Sequence, residues 1–386
     1  MEYRYGINNG IDTKDLLLIG NPEISYFSSV YRKHTRFSIH RRVIRETENL
    51  KSSSAGPFDL IKSVSLELTY VNNIPDNISS NFGTSNIDNV YYSIDASGND
   101  NKIEQLSGSY IEIYNQLHTP MSTLSTYDLD NGNVIVKSGN LSNILSLSGG
   151  VFNASGSGWS SPSSKLILTL PIPFSFSQHI GNSIPYFLFR NTSHALKFTT
   201  KFKSNEKPDT NYILEMIKLS QEEKNRFISS KNEYIYTNVK EELYDNDNIM
   251  YINSNILGNG KSIIWDDTTD TNYTISVNKL KITDNLEKKY FTTISTQKAG
   301  LLGCGRDRNG SNVINNNSIC YYTFGLKEAY DNENDAPTGS ISYANRIDFK
   351  AETFKNTFTI YILSYSIINY EYEKIPKYSN EYTRYN

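Results

Sequence analysis

The residues best suited to chemistry sit in four places along the 386-residue chain. The segment WDDTTDTNYT carries Asp266, Asp267 and Asp270, three carboxylates that could offer oxygen ligands to a calcium ion. Their spacing is not that of an EF-hand loop and no glycine stands at its tight turn, so a polar hairpin is the expected reading. GLLGCGRDRNG (Gly300 to Gly310) has the glycines of a phosphate loop. It lacks the Gly-Lys-Ser/Thr ending and a following helix, and no histidine is placed by any motif to activate its Cys304. Arg346 and Asp348 lie two apart in NRIDF, so on a strand they share a face and can form an ion pair, a structural role rather than a catalytic one. Finally, Arg32, Lys33, Arg36, Arg41, Arg42 and Arg45 form a basic run that could meet an anionic lipid or acidic protein surface, against the plainer reading of a solvated strand face.

No metal or cofactor set emerges from the remaining candidates. The histidines His34, His40, His118, His179 and His194 are scattered, with no His-x-x-x-His spacing. The two cysteines, Cys304 and Cys320, are too few for a disulfide framework or a cysteine zinc site, and reduced thiols are the simpler expectation. We therefore expect no cofactor and no enzymatic activity.

The elements that must position these residues are short strands. LIKSVSLELTYV alternates, with Val64, Leu66 and Leu68 on one side and Ser63, Ser65, Glu67 and Thr69 on the other. RFSIHRRVI places Phe37, Ile39, Arg41 and Val43 together, which reads as a half-buried strand. KLILTLPIPFSF, NYILEMIKL, YTISVNKLKI, SICYYTFGL and FTIYILSYSIINY continue the theme with β-branched and aromatic residues. Asn, Gly, Ser and Asp clusters separate them, among them a Gly- and Ser-rich stretch from Ser146 to Ser164 expected to be an exposed loop. Many strands with polar loops predict sandwiches rather than a parallel sheet. Helices are few. SQEEKNRFISS opens on Ser220 with Glu223 three residues later, a capping box, and reads as a short connector. PEISYFSSVYRK, with Pro22 and Glu23 at its start, is a second candidate.

Composition sets the outer limits. Tyr occurs 29 times and Phe 17 times, which a disordered chain would lack. Against 38 basic residues stand 41 acidic ones, a net charge of -3, so a backbone-binding nucleic-acid role is not expected. No apolar run approaches the roughly 20 residues that span a bilayer, and the opening MEYRYGINNG does not read as a signal peptide. The length suits two domains. NYILEMIKL and FTIYILSYSII are the two most continuously apolar strands, and each reads as the closing strand of a sandwich, with the joint between about Lys218 and Lys231.

Seven segments in order resemble the double jelly-roll major capsid proteins of the nucleocytoplasmic large DNA viruses. GNPEISYFSSVYRKHTRF, with Gly20, Asn21, Pro22, Tyr31, Arg32, His34, Thr35 and Phe37, is similar to the family's opening Gly-Asn-Pro-Gln-Ile-Thr-Phe-Phe and Val-Tyr-Arg-Arg-His-Thr-Asn-Phe. FDLIKSVSLELTY resembles its next strand. SGSYIEIYNQL, with Glu112 and Asn115, resembles Gly-Asp-Trp-Met-Glu-Ile-Trp-Asn, and LPIPFSFSQHIGNSIPYFLF, with Pro171, Pro173 and Phe174, resembles Leu-Pro-Leu-Pro-Phe-Trp-Phe and its continuation. NYILEMIKLSQEEKNRFISSKNEYIY is similar to the join between the two jelly rolls. APTGSISYANRIDF, with Pro337, Gly339, Arg346 and Asp348, resembles Pro-Ser-Gly-Thr-Asn-Phe-Ser-Arg-Ile-Asp, and IYILSYSIINY sits where the last strand belongs. The chain departs from the pattern at Ser175, Tyr110 and Tyr114, where the family has Trp. Its early second-domain strand is reduced to SIIWDD around Trp265, and its loops are short for outer towers.

The resemblance implies an all-β chain of two tandem jelly-roll sandwiches with a few short connecting helices. It implies an N-terminal arm over 1–28, a first jelly roll over 29–224 and a second over 225–386. The implied role is a structural virion protein, a homotrimeric pseudo-hexagonal capsomer in an icosahedral shell assembled in the host cytoplasm. Its partners would be itself, neighbouring capsomers, minor capsid proteins and the internal viral membrane, with no specific nucleic acid. Arg32, Lys33, Arg36, Arg41 and Arg42 would face inward at the capsomer base. A low-copy minor capsid protein and a surface glycan- or receptor-binding sandwich are the alternatives. A sugar-modifying jelly-roll enzyme would need convergent ligands that the histidine spacing does not offer.

Overall fold

Strand order repeats within the chain. The computed structural model describes residues 34–46, 50–51, 58–71, 83–96, 99–118, 165–189, 195–204, 207–230, 232–245, 249–252, 259–267, 269, 271–301, 319–327, 338–342, 346–352, 357–370 and 377–378. Eight strands come first: β1 (Phe37–Arg45), β2 (Leu50–Lys51), β3 (Leu60–Val71), β4 (Ile87–Ala96), β5 (Asn99–Ser107), β6 (Lys165–Pro171), β7 (Ala195–Phe202) and β8 (Asp209–Leu219). They pair antiparallel in two sheets, ordered β1-β8-β3-β6 and β2-β7-β4-β5. Next come β9 (Asn232–Tyr244), β10 (Met250–Ile252), β11 (Asn259–Asp266), β12 (Asn272–Val277), β13 (Leu280–Glu287), β14 (Ile319–Thr323), β15 (Ile347–Ala351) and β16 (Phe358–Tyr370). Their sheets run β9-β16-β11-β14 and β10-β15-β12-β13, so adding eight to each label of the first pair of sheets gives the second. Two short strands, Ile341–Ser342 on β11 and Lys377–Tyr378 on β16, lie outside the scheme. This order is that of the jelly roll, carried twice.

The helices fall at matching places. Between β5 and β6 lies α1 (Gly108–His118), and between β13 and β14 lie the helical turns Tyr290–Ile294 and Ser295–Lys298. The sequence gives no clear signal for α1, whose Ile111 and Ile113 are β-branched. It forms because Tyr110, Ile111, Ile113 and Leu117 are all buried, and because Ser107 Oγ accepts the Tyr110 amide proton at 3.1 Å as a cap. Gly108 is required there, since a Cβ would stand 2.2 Å from the Thr84 carbonyl oxygen and 2.5 Å from that of Ile87. Between β8 and β9 runs α2 (Gln221–Ser229), capped by Ser220, whose Oγ accepts from the Glu223 amide. Lys224 ties α2 back to the buried Asp59 at 2.7 Å, and Asp59 also accepts the Leu219 amide proton at 2.8 Å. Asn278 and Lys279 join β12 to β13 with φ of 50° and 68°, the primed hairpin turn that fits the twist of its strands.

The two cores are aromatic. Tyr92, Phe174, Phe176 and Phe198 cluster in the first sandwich, with Tyr92 5.0 Å from Phe174 and 5.3 Å from Phe176. In the second, the fully buried Trp265 has Tyr273, Phe291 and Phe349 at 5.0, 5.1 and 5.0 Å. The face expected for β3 is the observed one, with Val64, Leu66 and Leu68 inside. For β1 the expected face is corrected. Its register places Ile44 opposite the buried Tyr212, so Ile44 enters the core while Phe37, Ile39 and Val43 lie on the exposed face. The period of two is right, but β8 decides which half of it meets the core.

Candidate assembly site

The first sandwich covers the outer face of the second. Tyr236 of β9, Ile264 of β11, Tyr321 of β14 and Tyr361, Leu363 and Tyr370 of β16 belong to the same buried cluster as Tyr110 and Ile111 of α1. Their neighbours Ile263, Ile360 and Ile362 point the other way, into the second core. β16 is therefore buried on both faces, which is why FTIYILSYSIINY reads as a continuous apolar run rather than an alternation. Tyr110 and Tyr361 meet across this seam at 5.7 Å. Burial pushes the Tyr361 and Tyr370 phenols well above the ordinary tyrosine range.

A buried polar chain crosses the seam at β5 and β9. Glu104 of β5 is buried, and the backbone amide of Ser175 donates to both its oxygens at 3.1 Å. Ser175 Oγ stands 3.1 Å from Glu104 Oε1 and accepts the amide proton of Thr237 in β9 at 2.8 Å. Beyond it, the buried Lys261 reaches Thr237 Oγ1 at 3.5 Å and lies over the Tyr365 ring. Burial raises the Glu104 carboxyl to about 8, against the opposing pull of the Ser175 bonds and the Lys261 charge. No motif announces this group. Its one sequence signal is Ser175 itself, standing where the resembling family has Trp.

The sequence-predicted residues are dispersed rather than gathered into one site. Gly20, Asn21, Pro22, Tyr31, Arg32, Lys33 and Pro337 lie outside the described residues, as do Cys304, Asp270, the candidate helix at Pro22 and the stretch from Ser146 to Ser164. His34 Nδ1 contacts the Thr35 carbonyl at 2.8 Å, and Phe37 opens β1. Glu112 accepts from Thr84 Oγ1 at 3.1 Å. The buried Asn115 donates its amide to the Pro171 carbonyl at 3.2 Å, pinning α1 to the end of β6. The Pro173 carbonyl accepts from Gln178 Nε2 at 2.9 Å, while Phe174 is a core ring. Gly339 packs backbone to backbone on Gly325, where a Cβ would sit 3.0 Å from the Gly325 Cα. Arg346 Nε donates to Asp348 Oδ1 at 2.8 Å and its guanidinium covers the Tyr251 ring at 4.1 Å.

The basic run is split by the pleat of β1. Arg41 is on the outer face opposite Glu215, whose carboxyl is held below the usual range mainly by its bond to Lys62, whereas Arg42 is on the inner face with Ile44. Arg36 precedes the strand. Asp267, offered as a calcium ligand, instead accepts from the Thr269 amide, the Thr269 hydroxyl and the Tyr273 hydroxyl at 2.8, 2.6 and 2.6 Å, closing the turn before β12.

No known family model matches the chain, and no curated protein matches it in sequence. The fold does match. VP54 of PBCV-1, fitted into a reconstruction of the virophage Sputnik, aligns with a TM-score of 0.61 at 12% identity, covering 92% of this chain and 99% of that one. The Faustovirus major capsid protein aligns with a TM-score of 0.57 at 9% identity, covering 90% and 93%. The chain thus has the double jelly-roll fold of these viral major capsid proteins, and the likeness runs along nearly their whole length.

Proposed function

We propose that this chain is a structural capsid protein, and that three copies form a pseudo-hexagonal capsomer in the shell of an icosahedral large DNA virus. The carrying observation is the exact repeat of jelly-roll strand order within one chain. Two similar sandwiches per subunit make six similar blocks around a threefold axis, a shape that tiles while the assembly stays closed. The division into an arm over 1–28, a first jelly roll over 29–224 and a second over 225–386 belongs to this reading, supported by strand pairing that does not cross α2. So do its partners: itself, neighbouring capsomers, minor capsid proteins and, through the basic residues near the amino end, the internal viral membrane. Assembly in the host cytoplasm follows from the same reading. The role requires no reaction and no cofactor.

Tyrosine placement favours the shell over a glycan- or receptor-binding surface. Tyr92, Tyr110, Tyr212, Tyr273, Tyr321 and Tyr370 are buried in the cores and the seam instead of lining an outward groove. Light scattering of the purified chain across a concentration series tests the proposal. A trimer, present throughout or appearing as concentration rises, supports it, and a strictly monomeric mass at the highest soluble concentration defeats it.

A further inference from the structure

We propose that the outer face of β4, β5 and β7 in the first sandwich binds a phosphate-type oxyanion, held by Lys102, Lys197 and the hydroxyls of Ser93 and Thr199. Such a site stands apart from the capsomer reading and holds whether or not the chain assembles. One row of side chains is built twice in this fold, and the second sandwich carries it complete. There Thr274 follows the core tyrosine Tyr273 on β12 and stands opposite Lys350 of β15. Glu352 lies two residues past Lys350. Its carboxylate takes Lys350 Nζ at 2.7 Å and the Thr274 hydroxyl at 3.2 Å, and that hydroxyl accepts the Asn285 amide proton at 3.0 Å. One acid thus answers both the buried hydroxyl and the ammonium.

In the first sandwich β4 and β7 hold the places of β12 and β15. Ser93 follows the core tyrosine Tyr92 and stands opposite Lys197 of β7, with Lys102 of β5 on its other side. Two residues past Lys197 comes Thr199, opposite Tyr91 on the same face. The lysine is retained, and a hydroxyl takes the place of the carboxylate. Ser93 is fully buried, and neither its Oγ nor the buried Oγ1 of Thr199 makes a hydrogen bond among the described residues. Buried hydroxyls left unmet cost stability, so two of them beside two lysines favour an acceptor that brings negative charge. A phosphate oxyanion accepts from both hydroxyls and supplies the charge that Glu352 gives the other row. The nearest acid in register, Asp95, is one row further along β4, opposite Ala195. Lys102 covers the site. It is exposed, with its Nζ 4.5 Å above the Tyr91 ring and 3.3 Å from Gln105 Oε1, contacts that a charge-assisted bond to the anion outweighs.

The test titrates the full chain with inorganic phosphate, and with chloride at matched ionic strength, following melting temperature and the heat of binding. Phosphate should raise the melting temperature to a plateau, unlike the steady rise that an excluded salt gives, and chloride should not. Lys102→Met, at an exposed side chain, should weaken phosphate binding on the order of tenfold or more. Thr199→Glu supplies the acid that the second sandwich carries and should remove the phosphate response. Thr199→Gln, of similar size and neutral, should retain most of it. Circular dichroism checks that each variant folds, and if a Thr199 variant does not, Lys102→Met and Lys197→Met decide. Equal responses to phosphate and chloride overturn the proposal. So does a phosphate response that is unchanged in either Lys102→Met or a folded Thr199→Glu.

Discussion

Ser175 Oγ of the first sandwich accepts the amide proton of Thr237 in the second at 2.8 Å, so a single hydroxyl caps part of the outer edge of β9. The same serine's amide holds the Glu104 carboxyl, so this one hydrogen bond between the sandwiches is positioned by a buried acid.

Replacing Glu104 with Ala should therefore destabilise the chain by about 2–3 kcal/mol, because the Ser175 donors lose their acceptor in a buried site. Glu104→Gln keeps one acceptor oxygen and should cost about half as much. Urea titration of both variants measures the difference.

Stability should depend on pH through the same residue. The unfolded chain ionises Glu104 near 4.5, but the folded chain keeps it protonated up to about 8. Its contribution is complete below 4.5 and is lost as pH rises toward 8, at no more than about 1.4 kcal/mol per pH unit. Melting temperature should fall across that window and level off above it. In Glu104→Gln the decline should flatten, and an unchanged decline would assign the dependence to other groups.

Gly108→Ala should be severe despite adding one methyl group. Its neighbours at 2.2 and 2.5 Å are backbone carbonyls, which cannot rotate away. A loss on the order of 3 kcal/mol is expected, seen as a lower denaturation midpoint. A midpoint equal to that of the parent would show that α1 shifts freely.

Asp59→Ala should loosen the connector. It removes the acceptor of both the Leu219 amide and Lys224, at a side chain almost fully buried, for about 2 kcal/mol. Hydrogen exchange should speed up in α2 before it does in β3 or β8.

How much of this was legible depended on the kind of signal. The β3 alternation, the Ser220 cap and the likeness of NYILEMIKL to FTIYILSYSIINY follow from local pattern, and β8 and β16 indeed hold the same place in the two sheet pairs. The exposed face of β1 was misjudged because alternation gives a period and not a direction, and the direction is set by pairing with β8, far along the chain. α1 was missed because tertiary burial overrides the poor helix propensity of its isoleucines. Glu104, Thr237 and Lys261 have no sequence signature at all, since what makes them a group is a seam between strands distant in sequence.

The two-faced burial of β16 also bears on how the chain is made. On a ribosome, strands β1 to β8 emerge before β16 is complete, and domains generally fold in that order. A first sandwich folded in that order would cover the face that Tyr361 and Leu363 otherwise offer to other nascent chains. In that order the first half would shield the half that follows it.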